Sequence, residues 1–162
     1  MRNLHLRNVI ICLITLLLAT MHAQVSMAEP VAGHIEIKGV GIGIDWERLD
    51  LSGMELTSAD IEPLRYMTNL EELALTDNQI SDISVLNGLT TLTDLDLGYN
   101  QISDISALSG LMSLSGADFS SNQISDIGGL NGLTNLLLLA MEDNPISDWS
   151  PVDHVEDVWG RP

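Results

Sequence analysis

The sequence predicts a repeat solenoid of the α/β type, in which stacked coils each contribute one short strand to a single parallel sheet. Three observations predict it. Asn78, Asn100, Asn122 and Asn144 recur every 22 residues. Apolar residues stand at fixed places before each asparagine, as Leu70-x-x-Leu73-x-Leu75, Leu92-x-x-Leu95-x-Leu97, Leu114-x-x-Ala117-x-Phe119 and Leu136-x-x-Leu139-x-Met141. An isoleucine follows each by two residues (Ile80, Ile102, Ile124, Ile146), and the segment NQISDIS occurs unchanged at 78–84 and 100–106. Self-similarity at a fixed period of roughly 20 to 50 residues is the signature of a solenoid, because one unit cannot bury its own apolar face and its neighbours must do so.

Taken from the N-terminus, residues 1–28 read as a secretory signal peptide. Arg2, His5 and Arg7 precede an uninterrupted apolar run at 9–19 (VIICLITLLLA). That run is about half the roughly 20 residues a membrane-spanning helix needs. The following TMHAQVSMAEP offers cleavage after Ala23 or Ala28, and the layout directs the chain to a secreted, periplasmic or cell-surface location. Cys12 lies inside the run, so the mature domain has neither disulfides nor thiolate metal sites. Residues 29–45 include HIEIKGVGIGI, whose period-two alternation predicts a strand or extended cover for the first coil.

Residues 46–152 hold about five coils. The first is irregular: Trp46-x-x-Leu49-x-Leu51 is its strand, Met54 and Leu56 replace asparagine and isoleucine, and two extra residues sit between Leu51 and Ile61. Terminal repeats depart from consensus because one of their faces has no neighbour. In Glu72-Leu73-Ala74-Leu75-Thr76 alternate side chains point to opposite faces, which sends the leucines inward. Stacking about 4.8 Å apart lines them into one core, and five strands give a sheet roughly 20 Å across. Each asparagine must turn inward as the chain leaves the strand, because its amide can satisfy backbone groups of neighbouring turns. The column Asp82, Asp104, Asp126 and Asp148 has the spacing of N-caps before short turns. Leu86 and Leu89 then close the outer side, with Asn87-Gly88 and Asn131-Gly132 supplying turns. Residues 153–162 form a C-terminal tail whose Val155, Val158 and Trp159 are available to fold back over the last coil.

These residues resemble the 22-residue leucine-rich repeats of bacterial internalin-like proteins, whose coils carry LxxLxLxxNxISDIxxL, over about residues 46–155. The resemblance implies a right-handed leucine-rich-repeat coil with a concave parallel β-sheet, a convex side of short 3₁₀ or irregular turns, and a protein ligand on the concave face. Two departures stand out. Such proteins place a helical cap before the first repeat, where this chain offers only residues 29–45. Its last residues, PVDHVEDVWGRP, are too few for an immunoglobulin-like cap or a wall-sorting signal.

Composition and motifs argue for binding without catalysis. Four cations remain after cleavage (Lys38, Arg48, Arg65, Arg161) against all 23 acids, a net charge of −19. Nucleic acid and anionic membrane surfaces are repelled, no membrane insertion is expected after signal cleavage, and a basic protein or peptide is attracted. Gly39-Val40-Gly41-Ile42-Gly43 lacks GxGxxG spacing, only His34 and His154 survive cleavage, and no serine sits in a nucleophile elbow. The chain is therefore expected to be no enzyme and to hold no metal or other cofactor. The Asp82 column invites calcium, but one carboxylate per coil suits a cap better than a ligand. Outward positions read Arg48, Glu72, Asp94, Gly116, Leu138 in one column and Asp50, Ala74, Asp96, Asp118, Ala140 in the next, with Tyr99 the sole aromatic. From these, Asp50, Glu72, Asp94, Asp96, Tyr99 and Asp118 are the candidate partner-binding residues. A monomer is expected. The alternative is a structural or assembly role, in which open solenoid ends stack on another copy or on a host protein.

Overall fold

The computed structural model describes residues 33–162. The signal-peptide expectation and residues 29–32 of the cover lie outside the described residues. From Trp46 onward the chain is the solenoid that the repeat demands. Strands β3 (Arg48–Asp50), β4 (Glu72–Ala74), β5 (Asp94–Asp96), β6 (Gly116–Asp118), β7 (Leu138–Ala140) and β8 (Asp157–Trp159) form one parallel sheet in chain order. Ahead of them β1 (His34–Ile37) and β2 (Val40–Gly43) make an antiparallel hairpin. Its two-residue loop, Lys38-Gly39, has φ values of 45° and 81°, the left-handed pair that suits a hairpin turn to strand twist.

Register explains the core. Leu49, Leu73, Leu95, Ala117, Leu139 and Val158 form one inward column across the six strands. A second column two residues on, Leu51, Leu75, Leu97, Phe119 and Met141, is buried at every position. Ala117 and Phe119 share one inward face of β6, so a small residue and a large one replace the two leucines of β4 and β5. Ile35, Ile37 and Ile42 bury the open side of the first coil, and Lys38 Nζ donates to the carbonyls of Met54 (3.0 Å) and Glu55 (2.7 Å). The two extra residues of that coil fall between Leu56 and Ile61. Leu56 N–H takes the asparagine oxygen that Ile80 N–H takes one coil later, while Ser58 Oγ accepts from Ser81 and Asp82.

The inward asparagines link successive coils. Asn100 Nδ2 donates to Leu97 O of its own coil (3.0 Å) and to Leu75 O of the preceding one (2.9 Å), while Oδ1 accepts from Ile80 N–H (3.0 Å). Asn78, Asn122 and Asn144 repeat this pattern. Three of the four are buried, at 8–9% exposure, with their polar atoms partnered. Because an asparagine amide offers donors and acceptor on one planar group, it can bond backbone of two coils where a leucine would leave those groups bare.

The convex side consists of 3₁₀ turns at Glu62–Tyr66, Ser84–Leu86, Ser106–Gly110, Gly128–Leu130 and Ser150–Val152. The aspartate column differs from the N-cap expectation. The capping positions belong to Ile83, Ile105, Ile127 and Trp149, which make no side-chain cap bond. Each aspartate stands one residue earlier and accepts the amide two residues on: Ser84, Ser106 and Gly128 at 2.8 Å and Ser150 at 2.9 Å. The arrangement is an Asx turn, in which the carboxylate replaces a backbone acceptor. The tail differs too. Asp157–Trp159 adds a sixth strand to the five coils legible in the repeat.

Candidate protein-binding face

The concave sheet face gathers the outward positions of β3 to β8, and its second column runs Asp50, Ala74, Asp96, Asp118, Ala140 and Trp159. The aspartates there are committed to local structure as well as to the surface. Asp50 Oδ1 accepts from Ser52 N–H (2.9 Å), Asp96 Oδ1 from Gly98 N–H (3.1 Å) and Asp118 Oδ1 from Ser120 N–H (2.8 Å). These bonds turn the chain out of the strand. Thr76 Oγ1 also donates to Asp96, which is half-buried.

Asp96 and Asp118 come together over Gly98. A Cβ on Gly98 would lie 3.4 Å from Asp96 Oδ1, 3.6 Å from Asp118 Oδ1 and 3.6 Å from Thr76 Oγ1. The missing side chain leaves a notch ringed by three oxygens, a geometry that accepts hydrogen bonds from a cationic donor.

The remaining sequence-derived candidates have separate settings. Glu72 pairs with Arg48 at 3.2 Å, so the cation of this face is already engaged. Asp94 accepts from Thr93 Oγ1 (2.9 Å) and covers the bare backbone of Gly116, whose Cβ would fall 2.8 Å from Asp94 Oδ1. Tyr99 lies beyond β5 on the turn, 63% exposed, with φ of 55°. Gly53, Asp77, Ser121 and Asp143 hold the same left-handed place in other coils. A ring there is strained where glycine is not.

Sequence reasoning took Trp159 as a cover for the last coil and missed its place on the outward face of the sheet. The signal for a strand was Asp157-Val158-Trp159, a polar–apolar–aromatic alternation too short to be read as one. With Val158 inward, register places Trp159 beside Ala140 on the concave face.

Asp96 on the concave face and Asp82, Asp104 and Asp148 on the convex side are shifted in opposite senses. Burial pushes the Asp96 carboxyl above its ordinary value, Asp118 and Asp50 push the same way, and the bonds from Thr76 and Gly98 offset part of this. Folded-state affinity for the proton is then higher than in the unfolded chain, so stability is gained as pH falls through the raised value and the ionised form is costly above it. On the convex side the amides of Ser84, Ser106 and Ser150 hold Asp82, Asp104 and Asp148 below the ordinary carboxylate value. Their contribution is present above the unfolded value and is lost as pH falls through the depressed one. Asp96→Asn keeps an acceptor oxygen and removes the buried charge. Its melting temperature at pH 7 is expected to equal or exceed the parent's, with the advantage shrinking as pH falls through the raised Asp96 value. A lower melting temperature at pH 7 would contradict the assignment.

Among the described residues no group of three or more His, Cys, Asp or Glu is placed to hold a metal, and no helix is long and apolar enough to cross a membrane. A depression on the convex side, lined by Ser81, Asp82, Ser84, Asp104, Ser106 and Ala107, offers one carboxylate per coil.

Comparison with known proteins places this geometry. The family of leucine-rich repeats in two copies matches residues 68–110. Internalin C2 from Listeria monocytogenes is 41% identical with a TM-score of 0.62, the match covering 67% of this chain and 49% of that one. The internalin inlF of the same organism is 28% identical with a TM-score of 0.59, covering 74% and 43%. The functional domain of InlJ from Listeria monocytogenes, which includes a cysteine ladder, shares the fold at 22% identity and a TM-score of 0.56, covering 66% and 23%. The chain thus spans less than half the length of each. Curated protein sequences give no match.

Proposed function

Because the chain is an internalin-like leucine-rich-repeat protein, we propose that it is a bacterial secreted or surface binding module, without catalytic activity of its own, whose concave face takes a basic protein or peptide. The observation that carries this reading is the pair of carboxylates converging with Thr76 over Gly98, on a face whose arginine is already paired. A lysine ammonium or arginine fork seated there would receive charge-assisted hydrogen bonds, and the acidic field would steer its approach. Tyr99 supports the same reading, since its exposed ring occupies a left-handed position that glycine, aspartate or serine fills elsewhere. Every coil takes that conformation, so what sets Tyr99 apart is its exposed ring, which suits contact with a partner.

The test compares charge reversal on the two faces. Asp96→Lys with Asp118→Lys is expected to slow association with a lysine-rich peptide in a salt-dependent way and to weaken binding by at least about 1 to 2 kcal/mol. Asp82→Lys with Asp104→Lys makes the same change in net charge on the convex side and should leave most of the affinity. Equal losses would mean that the long-range field alone attracts the peptide, and the concave-face reading would fail.

A further inference from the structure

The concave face carries two chemically different zones. Across β3 to β6 its second column is acidic at three of four positions, whereas across β7 and β8 it becomes Ala140 and Trp159. Trp159 is 39% exposed, half-buried Leu138 shares the outward face of β7 with Ala140 and stands beside Asp157 in register, and Leu137, just ahead of β7, is 49% exposed. A single exposed leucine needs no explanation, but an outward tryptophan beside Ala140, with outward Leu138 on the neighbouring strand, gives this end of the sheet an apolar patch edged by Asp157, of the kind that marks contact with a partner. We infer that this end of the sheet is an anchor subsite, and that the occupant of the face is an extended basic segment bearing one bulky apolar side chain a few residues from its lysines or arginines. The inference rests on the concave-face reading above and adds to it the composition and direction of the ligand.

Spacing supports the pairing of the two zones. Strands lie about 4.8 Å apart, so Asp118 stands roughly 10 Å and Asp96 roughly 14 Å from Trp159 across the sheet. An extended chain advances about 3.3 Å per residue and returns its side chains to one face at every second residue, which brings cations two and four residues from the apolar side chain to about 7 and 13 Å along the face, near those carboxylates. The flexible stem of lysine covers the difference. Charge argues against a second copy of this chain as the occupant, because two faces of one acidic sign, on chains of net charge −17, repel.

The test titrates the purified chain calorimetrically with synthetic Gly/Ser peptides of about nine residues. One carries two lysines with a tryptophan four residues from the farther lysine. In a second the tryptophan is alanine, and in a third the lysines are glutamine. The tryptophan peptide is expected to bind about tenfold or more tightly than the alanine peptide. That advantage should vanish on Trp159→Ala and survive on Trp159→Phe, while Asp96→Asn with Asp118→Asn should weaken both lysine peptides alike. Should Trp159→Ala fail to fold, Leu138→Ser carries the comparison, because Leu138 lies on the outward face of β7 next to β8 and is only half-buried. Equal binding of the tryptophan and alanine peptides, or an advantage that persists on the folded anchor variant, overturns the anchor and leaves the concave-face reading standing. A glutamine peptide that binds as well as the lysine ones, or lysine peptides indifferent to the aspartate changes, overturns both. Light scattering that shows a dimer dispersed by Trp159→Ala would give the subsite to a second copy and also overturn the inference.

Discussion

Replacing Phe119 with alanine is expected to remove about 3 to 5 kcal/mol of stability, a large part of the roughly 5 to 15 kcal/mol that a small domain possesses. The ring is fully buried in the column that Leu75, Leu97 and Met141 continue on either side. Its neighbour on the same face, two residues away, is Ala117, which contributes no bulk with which to collapse into the space. The loss therefore combines the transfer term of the ring with a cavity that the stacked backbones on both sides hold open. Phe119→Leu restores the residue found in β4 and β5 coils and should cost far less, though Ala117 keeps it from being neutral. Urea unfolding of the three proteins checks the order. A shift below about 1 kcal/mol for Phe119→Ala would mean that the second column is not the core.

The next largest effect is expected at Asn100, where alanine should cost about 1 to 3 kcal/mol. The size follows from which groups lose their partner altogether. Leu75 O also accepts from Asn78 Nδ2 and Leu97 O also accepts from Asn122 Nδ2, so both carbonyls keep one donor. Ile80 N–H, bonded to Asn100 Oδ1, has no substitute in the ladder. The cost is thus mainly one orphaned buried amide, together with loosened carbonyls, and it should exceed that of Asp104→Ala on the exposed convex surface. Equal melting shifts for the two variants would contradict the inward asparagine.

Much of the fold was legible because the repeat states its chemistry several times over. Leucines, asparagine and isoleucine recur at one spacing, and side-chain alternation alone divides inward from outward. What could not be read depends on residues that the repeat leaves free. Asp96 looked like an outward acid in water, yet it is half-buried, held down by the hydroxyl of Thr76 from the preceding coil and by the Gly98 amide. Nothing local to Asp96 announces that. The Asx turns of Asp82 and its equivalents had the right residue for a cap but a place one residue early, a difference of backbone angle to which sequence spacing is blind. Strand β8 carries a single inward valine and neither leucine pair nor asparagine, so its pairing with β7 emerges only from packing. The left-handed place of Tyr99 was hidden by the variety of its column, in which glycine, aspartate and serine also stand. The candidate site was correspondingly half visible. Its acids were in the sequence, and the notch over Gly98 and the tryptophan beside Ala140 were not.

Amide shift perturbation of the nitrogen-labelled chain by a lysine-rich peptide tests concave-face recognition most directly, because it locates the contact without altering a residue. The expected result is a saturable change confined to the outward face, with Asp96, Gly98, Tyr99 and Asp118 moving most and the convex Asp82, Asp104 and Asp126 amides moving little. Perturbations centred on the convex aspartates, or spread evenly over both faces and abolished by moderate salt, would contradict it.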